Sequence, residues 1–386
     1  MTFFKYTALF LCIIFLSSCS NIEIIELNER LIIEAIGIDY EDDVYKVTIE
    51  GLDSFTAGSD SDSISSGKLT KCYVFTGETI GMAMNSISRI TGQTPLFSQA
   101  RVLIIGIDTA KTKLSQVLDF FRREYTTRTD ILIAVSEKTA RETVSANFGK
   151  NVSAGNIFEA ALSSHRYTGK CTYTPLYRFL NSLMGETDSA FCPIIAIKDN
   201  DFSDKKEAEL PGTAIFRKDG SVFTISDEET LALNLINNKI KNGDITVKNQ
   251  KGICTFEIID CKTKTKIKTE DNKAVVSINI KLKCDIPEFQ TENFSGLSKD
   301  DIAKTEKEAE KKINAMCKRL TDKIVSEEHC DTFSLGRKIN LTHHDFYKNH
   351  IQNGTIPDDI LSFDITTDVQ VRRIGKVILE KDNGEQ

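Results

Sequence analysis

Residues 212–243 carry the sequence GTAIFRKDGSVFTISDEETLALNLINNKIKNG, and this stretch does most to decide the fold. Its first part has two short apolar runs on either side of Lys218-Asp219-Gly220. An Asp-Gly pair supplies the positive φ that a tight turn between two strands requires. The pattern therefore predicts a β-hairpin from Gly212 to Ile225.

The second part of the stretch predicts a helix directly after the hairpin. Ser226 and Glu229 have the spacing of a capping box, in which the hydroxyl and the carboxylate each accept a backbone N–H at a helix start. Apolar residues then recur at helical spacing up to Lys241, and Asn242-Gly243 is a typical helix end. We therefore expect a hairpin-helix unit, with the strands that follow it continuing the same sheet.

The rest of the chain also mixes strands with helices. Alternating or short apolar runs predict strands at residues 31–39, 44–49, 69–75, 101–107, 130–135, 190–197, 244–247, 253–259, 274–283 and 362–374. Helical spacing of apolar residues predicts helices at 78–90, 114–121, 140–148, 177–183 and 299–325. Because several strand pairs form hairpins, the pattern indicates the α+β class, with mixed and antiparallel sheets and packed helices, instead of a doubly wound parallel sheet.

Composition divides the 386-residue chain into a leader and three expected domains. Residues 199–209 are rich in charge and have no apolar periodicity, which is typical of a domain boundary. The expected units are a signal peptide at 1–18, an N-terminal α/β domain at 19–198, a middle hairpin-helix domain at 199–250 and a C-terminal α+β domain at 251–386.

The N-terminus has the pattern of a bacterial lipoprotein signal. Lys5 precedes an apolar run at 8–16, and Leu16-Ser17-Ser18-Cys19 has the form of a lipobox. The run is shorter than the roughly 20 apolar residues of a membrane-spanning helix, so it reads as a cleaved export signal. The alternative is that Cys19 is only the first cysteine of a secreted domain.

Cleavage before Cys19 would make this cysteine the N-terminal residue of the mature chain. Its sulfur would then carry a diacylglyceryl group, and its amine could carry a further acyl chain such as palmitate. Two or more chains hold a water-soluble body on a membrane, whereas one chain dissociates readily. We predict Cys19 as the lipid attachment site and expect no other cofactor.

The charge of the chain argues against a nucleic-acid partner. The formal net charge is −7, and loss of residues 1–18 removes one more positive charge, that of Lys5. Binding to phosphates needs clustered Lys and Arg, which an anionic body does not supply. No stretch after Cys19 approaches the length of a spanning helix, so we expect an extracytoplasmic domain in water.

Eight cysteines follow Cys19, and none belongs to a C-x-x-C pair of the kind that zinc ribbons use. They are Cys72, Cys171, Cys192, Cys254, Cys261, Cys284, Cys317 and Cys330. The apolar runs around several of them favour buried free thiols, while export leaves disulfides open.

Other ligand-binding motifs are incomplete. A phosphate loop at 58–68 would need glycine in place of Asp62 and a hydroxyl in place of Leu69. The acidic run at 60–63 lacks the glycine and glutamate of a calcium loop. We therefore expect a solvated loop in this region.

The histidines near residue 345 offer a weak metal site. His343, His344, Asp345 and His350 are close in sequence, but adjacent histidines on one element point in different directions. Surface histidines are the better interpretation. The chain also has no G-x-S-x-G elbow or other nucleophile motif, so we predict that it is not an enzyme and has no catalytic, cofactor-binding or metal residues.

Four passages of the sequence resemble the Ger(x)C family, the lipoprotein C subunits of nutrient germinant receptors in bacterial spores. The passages are 26–29 with Ile36-Gly37-Ile38-Asp39, 99–106 with 117–123, 212–216 with 227–230 and 239–243, and 368–375. They occur in the family's order and span nearly the whole mature chain. One departure is Ser20, where the family commonly has Trp after the lipid-bearing cysteine.

The resemblance implies a three-domain ectodomain on the outer face of the spore inner membrane. It also implies two partners, the membrane-spanning A and B subunits of the receptor, and a role in germination without catalysis. The alternative function is a lipid-anchored solute-binding protein of a transporter, which usually has two α/β lobes joined by a hinge.

Overall fold

The fold is taken from a computed structural model that describes residues 26, 29–52, 70–124, 126–149, 152–249, 252–270, 272–291, 298–351, 354–375 and 377–378. The signal peptide at 1–18 and Cys19 lie outside the described residues. The partial phosphate and calcium motifs within 58–69 lie outside them as well.

The described part of the chain contains both strands and helices, with runs of consecutive strands at its start, middle and after the hairpin-helix unit. The strands are β1 (Arg30–Glu41), β2 (Val44–Leu52), β3 (Thr70–Gly77), β4 (Thr94–Leu96), β5 (Val102–Gly106), β6 (Leu132–Ser136), β7 (Phe191–Asn200), β8 (Ser203–Phe216), β9 (Val222–Ser226), β10 (Gly243–Asn249), β11 (Gly252–Glu270), β12 (Lys273–Thr291), β13 (Leu361–Ile374) and β14 (Val377–Ile378). The helices are α1 (Ile80–Thr91), α2 (Ile107–Thr112), α3 (Leu114–Arg123), α4 (Ala140–Val144), α5 (Ala154–Ser163), α6 (His165–Thr168), α7 (Leu176–Met184), α8 (Asp227–Ile236), α9 (Lys299–Thr321), α10 (Leu335–Thr342) and α11 (His344–His350).

The first sheet contains nine of the described strands, in the order β3-β2-β1-β5-β6-β7-β8-β9, with β4 beside β1. Strands β1, β5, β6 and β7 run parallel to one another, and the outer pairs are antiparallel. Between β1 and β2 the turn residues Asp42 and Asp43 have φ of 53° and 62°, as a tight hairpin turn requires.

The central strands of this sheet are buried on both faces. Leu103 and Ile105 of β5 belong to a core with α1, α3 and α7, whereas Val102 and Ile104 belong to a separate core with α4 and α5. A parallel strand covered on both sides needs a continuous apolar run, which the sequence VLIIG provides.

The charged segment at 199–209 forms paired strands. Asp199 pairs with Lys206, and Lys198 with Glu207, in the antiparallel hairpin of β7 and β8. Lys198 Nζ lies 2.5 Å from the Glu209 carboxylate, which supports this exposed part of the hairpin. The absence of apolar periodicity therefore reflects two solvated faces, and the domain boundaries stay a prediction.

The structure confirms the hairpin predicted from residue 212 onward. Strands β8 and β9 pair from Gly212 opposite Ser226 to Phe216 opposite Val222, and Gly220 has φ of 88° in the turn. The capping box is also present, because Glu229 N–H donates to Ser226 Oγ at 3.2 Å and Ser226 N–H donates to Glu229 Oε2 at 2.8 Å.

The predicted end of this helix was wrong. Helix α8 ends at Ile236, not at Lys241, because Asn238 adopts a left-handed conformation with φ of 55°. Asparagine tolerates this conformation better than most residues. The later apolar residue Ile240 is buried, but it packs into the core from an irregular segment.

The strands after residue 243 form a second sheet, which corrects the expectation that they continue the first. Its described order is β10-β11-β12-β13-β14, with β12 and β13 parallel and the other pairs antiparallel. Strands β11 and β12 each have 19 residues and are much longer than predicted. Helix α9 packs across this sheet, and Val371 N–H donates to Glu306 Oε1 at 2.7 Å.

Helix α8 connects the two sheets. Its side chains Leu231, Leu235 and Ile236 share one core with Ile225 of β9, and this core continues through the strands of the second sheet to α9. The sequence prediction of the α+β class, with mixed sheets and packed helices, is confirmed.

Strand β8 approaches β9 closely at Gly212. A Cβ at Gly212 would overlap the carbonyl oxygen of Ile225, a backbone atom that cannot move without separating the two strands. We expect Gly212→Ala to lower the free energy of unfolding by about 3 kcal/mol in urea denaturation. The control Gly81→Ala, where a Cβ has ordinary contacts on helix α1, should leave it unchanged or raise it by up to about 1 kcal/mol. Equal stability of the two variants would contradict this role of Gly212.

Candidate functional site

Two buried carboxylates of the first hairpin fix the starts of helices. Asp39 at the end of β1 accepts the backbone N–H groups of Ala140 and Arg141, each at 2.8 Å, at the N-terminus of α4. Glu50 on β2 accepts the N–H groups of Ala154 at 2.8 Å and Gly155 at 2.9 Å, at the N-terminus of α5. The first N–H groups of a helix have no partner within the helix, so these carboxylates satisfy them and favour one docking position.

A third buried carboxylate, that of Asp331, does the same for α10. Its oxygens accept N–H groups from Phe333 at 3.2 Å, Leu335 at 2.8 Å and Gly336 at 2.9 Å. The Asp331 backbone also pairs with Ser189, which lies next to β7: Ser189 N–H donates to the Asp331 carbonyl, and Asp331 N–H donates to Ser189 Oγ. Asp331 therefore connects α10 to the first sheet.

The chain around this connection is tightly packed. A Cβ at Gly336 would overlap the side chain of Thr187, and a Cβ at Gly354 would overlap the carbonyl oxygen of Glu186. The segment 186–189 thus lies between two glycine-containing stretches of the C-terminal part of the chain. Small residues allow this close approach.

Burial raises the pKa of Asp331 to about 6. The N–H groups of Leu335 and Gly336 favour the ionised carboxylate and oppose this effect, while the nearby Asp188 adds to it. Burial also lowers the pKa of Lys338, whose ammonium donates to the Phe333 carbonyl at 2.9 Å.

A cleft lies beside this connection, between the first sheet and α10. Its volume is about 570 Å³, within the usual range for small-molecule sites. Phe179, Phe191 and Phe333 give it apolar walls. The cleft is thus bounded by residues of α7, the end of α8 and the first turn of α10, and we call it the central cleft.

Four of the side chains that line the central cleft are positively charged. Arg178, Lys239 and Arg337 line it and are exposed, and Lys338 lines it as well. Within the described part of the chain, no carboxylate forms an ion pair with Arg178, Lys239 or Arg337, although Arg178 Nε donates to Tyr177 Oη at 3.0 Å.

Two buried polar atoms of the central cleft lack a hydrogen-bond partner. Among the described side chains, such atoms are Thr48 Oγ1, Thr127 Oγ1, Asp188 Oδ1 and Thr332 Oγ1, and the last two belong to residues that line the cleft. Thr332 is only 5% exposed. Buried polar atoms in folded proteins nearly always have a partner, so this pair marks the cleft as a site for polar contacts.

The predicted lipid attachment site, Cys19, lies outside the described residues and stays a prediction. The candidate metal residues are not brought together: His343 binds Thr269 and the Ile267 carbonyl, whereas His344 binds Asn340. Within the described ranges, no group of three or more His, Cys, Asp or Glu side chains could hold a metal ion.

Seven of the eight cysteines of the described residues are buried, and these seven are free thiols. Burial raises the pKa of Cys171, Cys284 and Cys317 to about 12, so these thiols are protonated near neutral pH. A protonated, buried thiol is a poor nucleophile and a poor metal ligand.

Several residues in the four passages that carry the family resemblance form hydrogen bonds or ion pairs within the fold. Arg101 Nε donates to Glu34 at 2.8 Å, and Thr213 and Thr230 share a buried hydrogen bond of 2.9 Å. The two arginines of the C-terminal passage form ion pairs with the buried carboxylate of Asp285. Arg373 Nη2 lies 2.6 Å from Asp285 Oδ2, and Arg372 Nη2 lies 3.3 Å from Asp285 Oδ1.

Sequence reasoning did not identify the central cleft. Its residues come from chain segments more than 150 positions apart, such as Arg178 and Arg337, and no local motif contains them. The sequence did contain one weak local signal for this region. Asp331 lies four residues before Leu335, where α10 begins, and an aspartate in such a position often accepts backbone N–H groups in an Asx-type turn.

No helix within the described ranges has both the length and the apolar character needed to span a membrane.

Comparisons with known proteins give consistent matches along the chain. The profile described as "Spore germination protein N-terminal domain" matches residues 23–197, and the profile "Spore germination B3/ GerAC like, C-terminal" matches residues 211–375. Spore germination protein B3 of Bacillus subtilis (strain 168) is 26% identical over 351 residues, which cover 89% of this chain and 90% of that protein.

A solved structure, that of the GerBC protein, has a similar fold. Its TM-score is 0.55 at 21% sequence identity, and the match covers 86% of this chain and 96% of that chain. At this identity the match supports the fold alone.

The raised pKa of Asp331 predicts a pH dependence of stability. The unfolded carboxyl ionises near its ordinary pKa of 3.8, so between pH 4 and pH 6 the folded state binds more protons than the unfolded state. The stabilising contribution of Asp331 to the free energy of unfolding is therefore fully present below pH 4 and is lost as the pH rises through about 6. Relative to Asp331→Asn, the wild-type free energy of unfolding should fall by at most about 3 kcal/mol from pH 4 to pH 7.

Urea denaturation at a series of pH values measures this difference. The exposed Asp345 serves as the control, and Asp345→Asn should change the free energy of unfolding by less than about 0.5 kcal/mol at each pH. A wild-type advantage over Asp331→Asn that grows from pH 4 to pH 7 would show that the carboxylate, not the protonated acid, is the stabilised form.

Proposed function

The chain belongs to the GerAC-like family of spore germination proteins, which confirms the resemblance found in its sequence, and from this membership we propose that it is the lipid-anchored C subunit of a nutrient germinant receptor. The single observation that carries the proposal is the match of both family profiles over most of the chain, behind a lipobox that ends at Cys19.

The anchor in this proposal is a diacylglyceryl group on the sulfur of Cys19. This group has two hydrocarbon chains, and an acyl chain on the amine adds a third, whereas stable membrane attachment requires two or more. Supporting this, the apolar run at 8–16 is too short to span a bilayer and is followed by small residues directly before the cysteine.

The subunit acts by contacts with membrane-spanning A and B subunits, without catalysis. In favour of a non-catalytic role, the acidic side chains Asp39, Glu50 and Asp331 are committed to backbone N–H groups, and the thiols of Cys171 and Cys317 are buried. The place of action is the outer face of the spore inner membrane.

The alternative of a solute-binding protein for a transporter is less well supported. Two lobes with one hinge are usual in that class, whereas here α8 and its neighbours form one core with the second sheet. The family profiles also describe germination proteins.

Replacing the lipidated cysteine tests the anchor. Cys19→Ala removes the only sulfur at the predicted cleavage site, so the protein should be lost from the spore inner-membrane fraction and nutrient-triggered germination should slow by about tenfold or more. Fractionation with immunoblotting and the fall in optical density after nutrient addition measure the two effects.

The matched control is Cys12→Ala, which changes a cysteine inside the apolar run but keeps the lipobox. This variant should remain in the membrane fraction and germinate at the wild-type rate. Wild-type germination by Cys19→Ala, with the protein released from the membrane, would contradict the proposed role of the anchor.

A further inference from the structure

The central cleft is lined by more positive than negative side chains. Arg178, Lys239, Arg337 and Lys338 supply four positive charges, and Asp188 and Asp331 supply two acidic groups. Asp331 and Asp188 attract Lys338. Among the described residues, no carboxylate lies within ion-pair distance of Arg178, Lys239 or Arg337. The chain as a whole has a net charge of −7, which makes a cationic cleft a local feature.

These cations come from separate parts of the fold. Arg178 lies on α7 beside the first sheet, Lys239 follows α8, and Arg337 lies in the first turn of α10. Cations that line one cleft without carboxylate partners make its potential positive, which attracts anions. Guanidinium groups are well suited to carboxylate and phosphate oxygens.

The two unpartnered atoms add a second requirement on the ligand. Asp188 Oδ1 is a buried acceptor without a donor, and Thr332 Oγ1 is a buried hydroxyl without a partner. A simple anion would satisfy the cations but would offer no donor to Asp188. A ligand that also carries an ammonium or hydroxyl group would satisfy both.

We infer that the central cleft binds a small organic or inorganic anion that also carries a hydrogen-bond donor, with its anionic group on Arg178 and Arg337 and its donor on Asp188. The volume of about 570 Å³ admits a ligand of several heavy atoms. This inference does not depend on the lipid anchor, because every group involved lies in the described ectodomain.

Titration of the purified full-length chain in detergent micelles tests the inference. Thermal unfolding is followed with glycine, glycolate, inorganic phosphate, acetate and methylamine. Glycine, glycolate and monohydrogen phosphate combine an anion with a donor, whereas acetate lacks the donor and methylamine lacks the anion. At least one of the first three should raise the unfolding temperature saturably, with an affinity about tenfold or more above that of acetate and methylamine.

The pattern among the probes identifies the ligand class. Preference for glycine or glycolate points to a carboxylate, and preference for phosphate points to a phosphorylated compound. The inference would be overturned if no probe had a saturable effect up to about 50 mM, or if glycine, glycolate and phosphate all bound no more tightly than acetate or methylamine.

Substitutions then place the binding in the cleft. Arg337→Gln should weaken the best probe by about tenfold, because it removes one charge-assisted contact, and Arg178→Gln provides a second variant if the first unfolds. Arg89→Gln on α1 is the control, since Arg89 is also exposed and lies outside the cleft, and it should leave the affinity unchanged. Equal weakening by Arg89→Gln would indicate nonspecific charge attraction and contradict the assignment.

Discussion

Buried carboxylates that accept the first N–H groups of helices hold this fold together. Asp39, Glu50 and Asp331 each lie at the N-terminus of a helix, are at most 5% exposed and accept at least two backbone N–H groups there. Such a contact satisfies groups that the helix itself leaves unpaired, and it fixes the direction from which the helix approaches the sheet. Cβ-free backbone at Gly155 and Gly336 lets two of these helices come close enough.

The Asp331 contact also determines where the central cleft can form. It holds the first turn of α10 against Ser189, so Arg337 on that turn and Arg178 on α7 line the same cavity. The central cleft does not involve the predicted lipid anchor, because its lining residues all lie in the described part of the chain.

Local patterns in the sequence predicted much of the fold, and long-range contacts explain what they missed. The hairpin at Gly220 and the capping box at Ser226 were predicted because each depends on residues within a few positions of one another. The extension of β11 through 260–270 was missed because lysines alternate there with threonines, so neither face is apolar. The early end of α8 depends on the left-handed conformation of Asn238. Asparagine also occurs within helices, so its presence alone did not predict that the helix ends there.

The site was less predictable than the fold. The predicted lipidation at Cys19 rests on a local motif, whereas the central cleft joins residues that only the packing of α10 on the first sheet brings together. The role of Asp331 could not be read from its neighbours either, since its partner Ser189 is 142 positions away.

We propose that this chain works as one subunit of a membrane receptor. Affinity purification of the tagged chain from detergent-solubilised membranes of dormant spores, followed by quantitative mass spectrometry, tests it most directly. We predict that two membrane-spanning proteins, one for each integral subunit, are recovered in amounts comparable to the chain itself. Recovery of the chain alone, or with the permease of an uptake transporter, would contradict it.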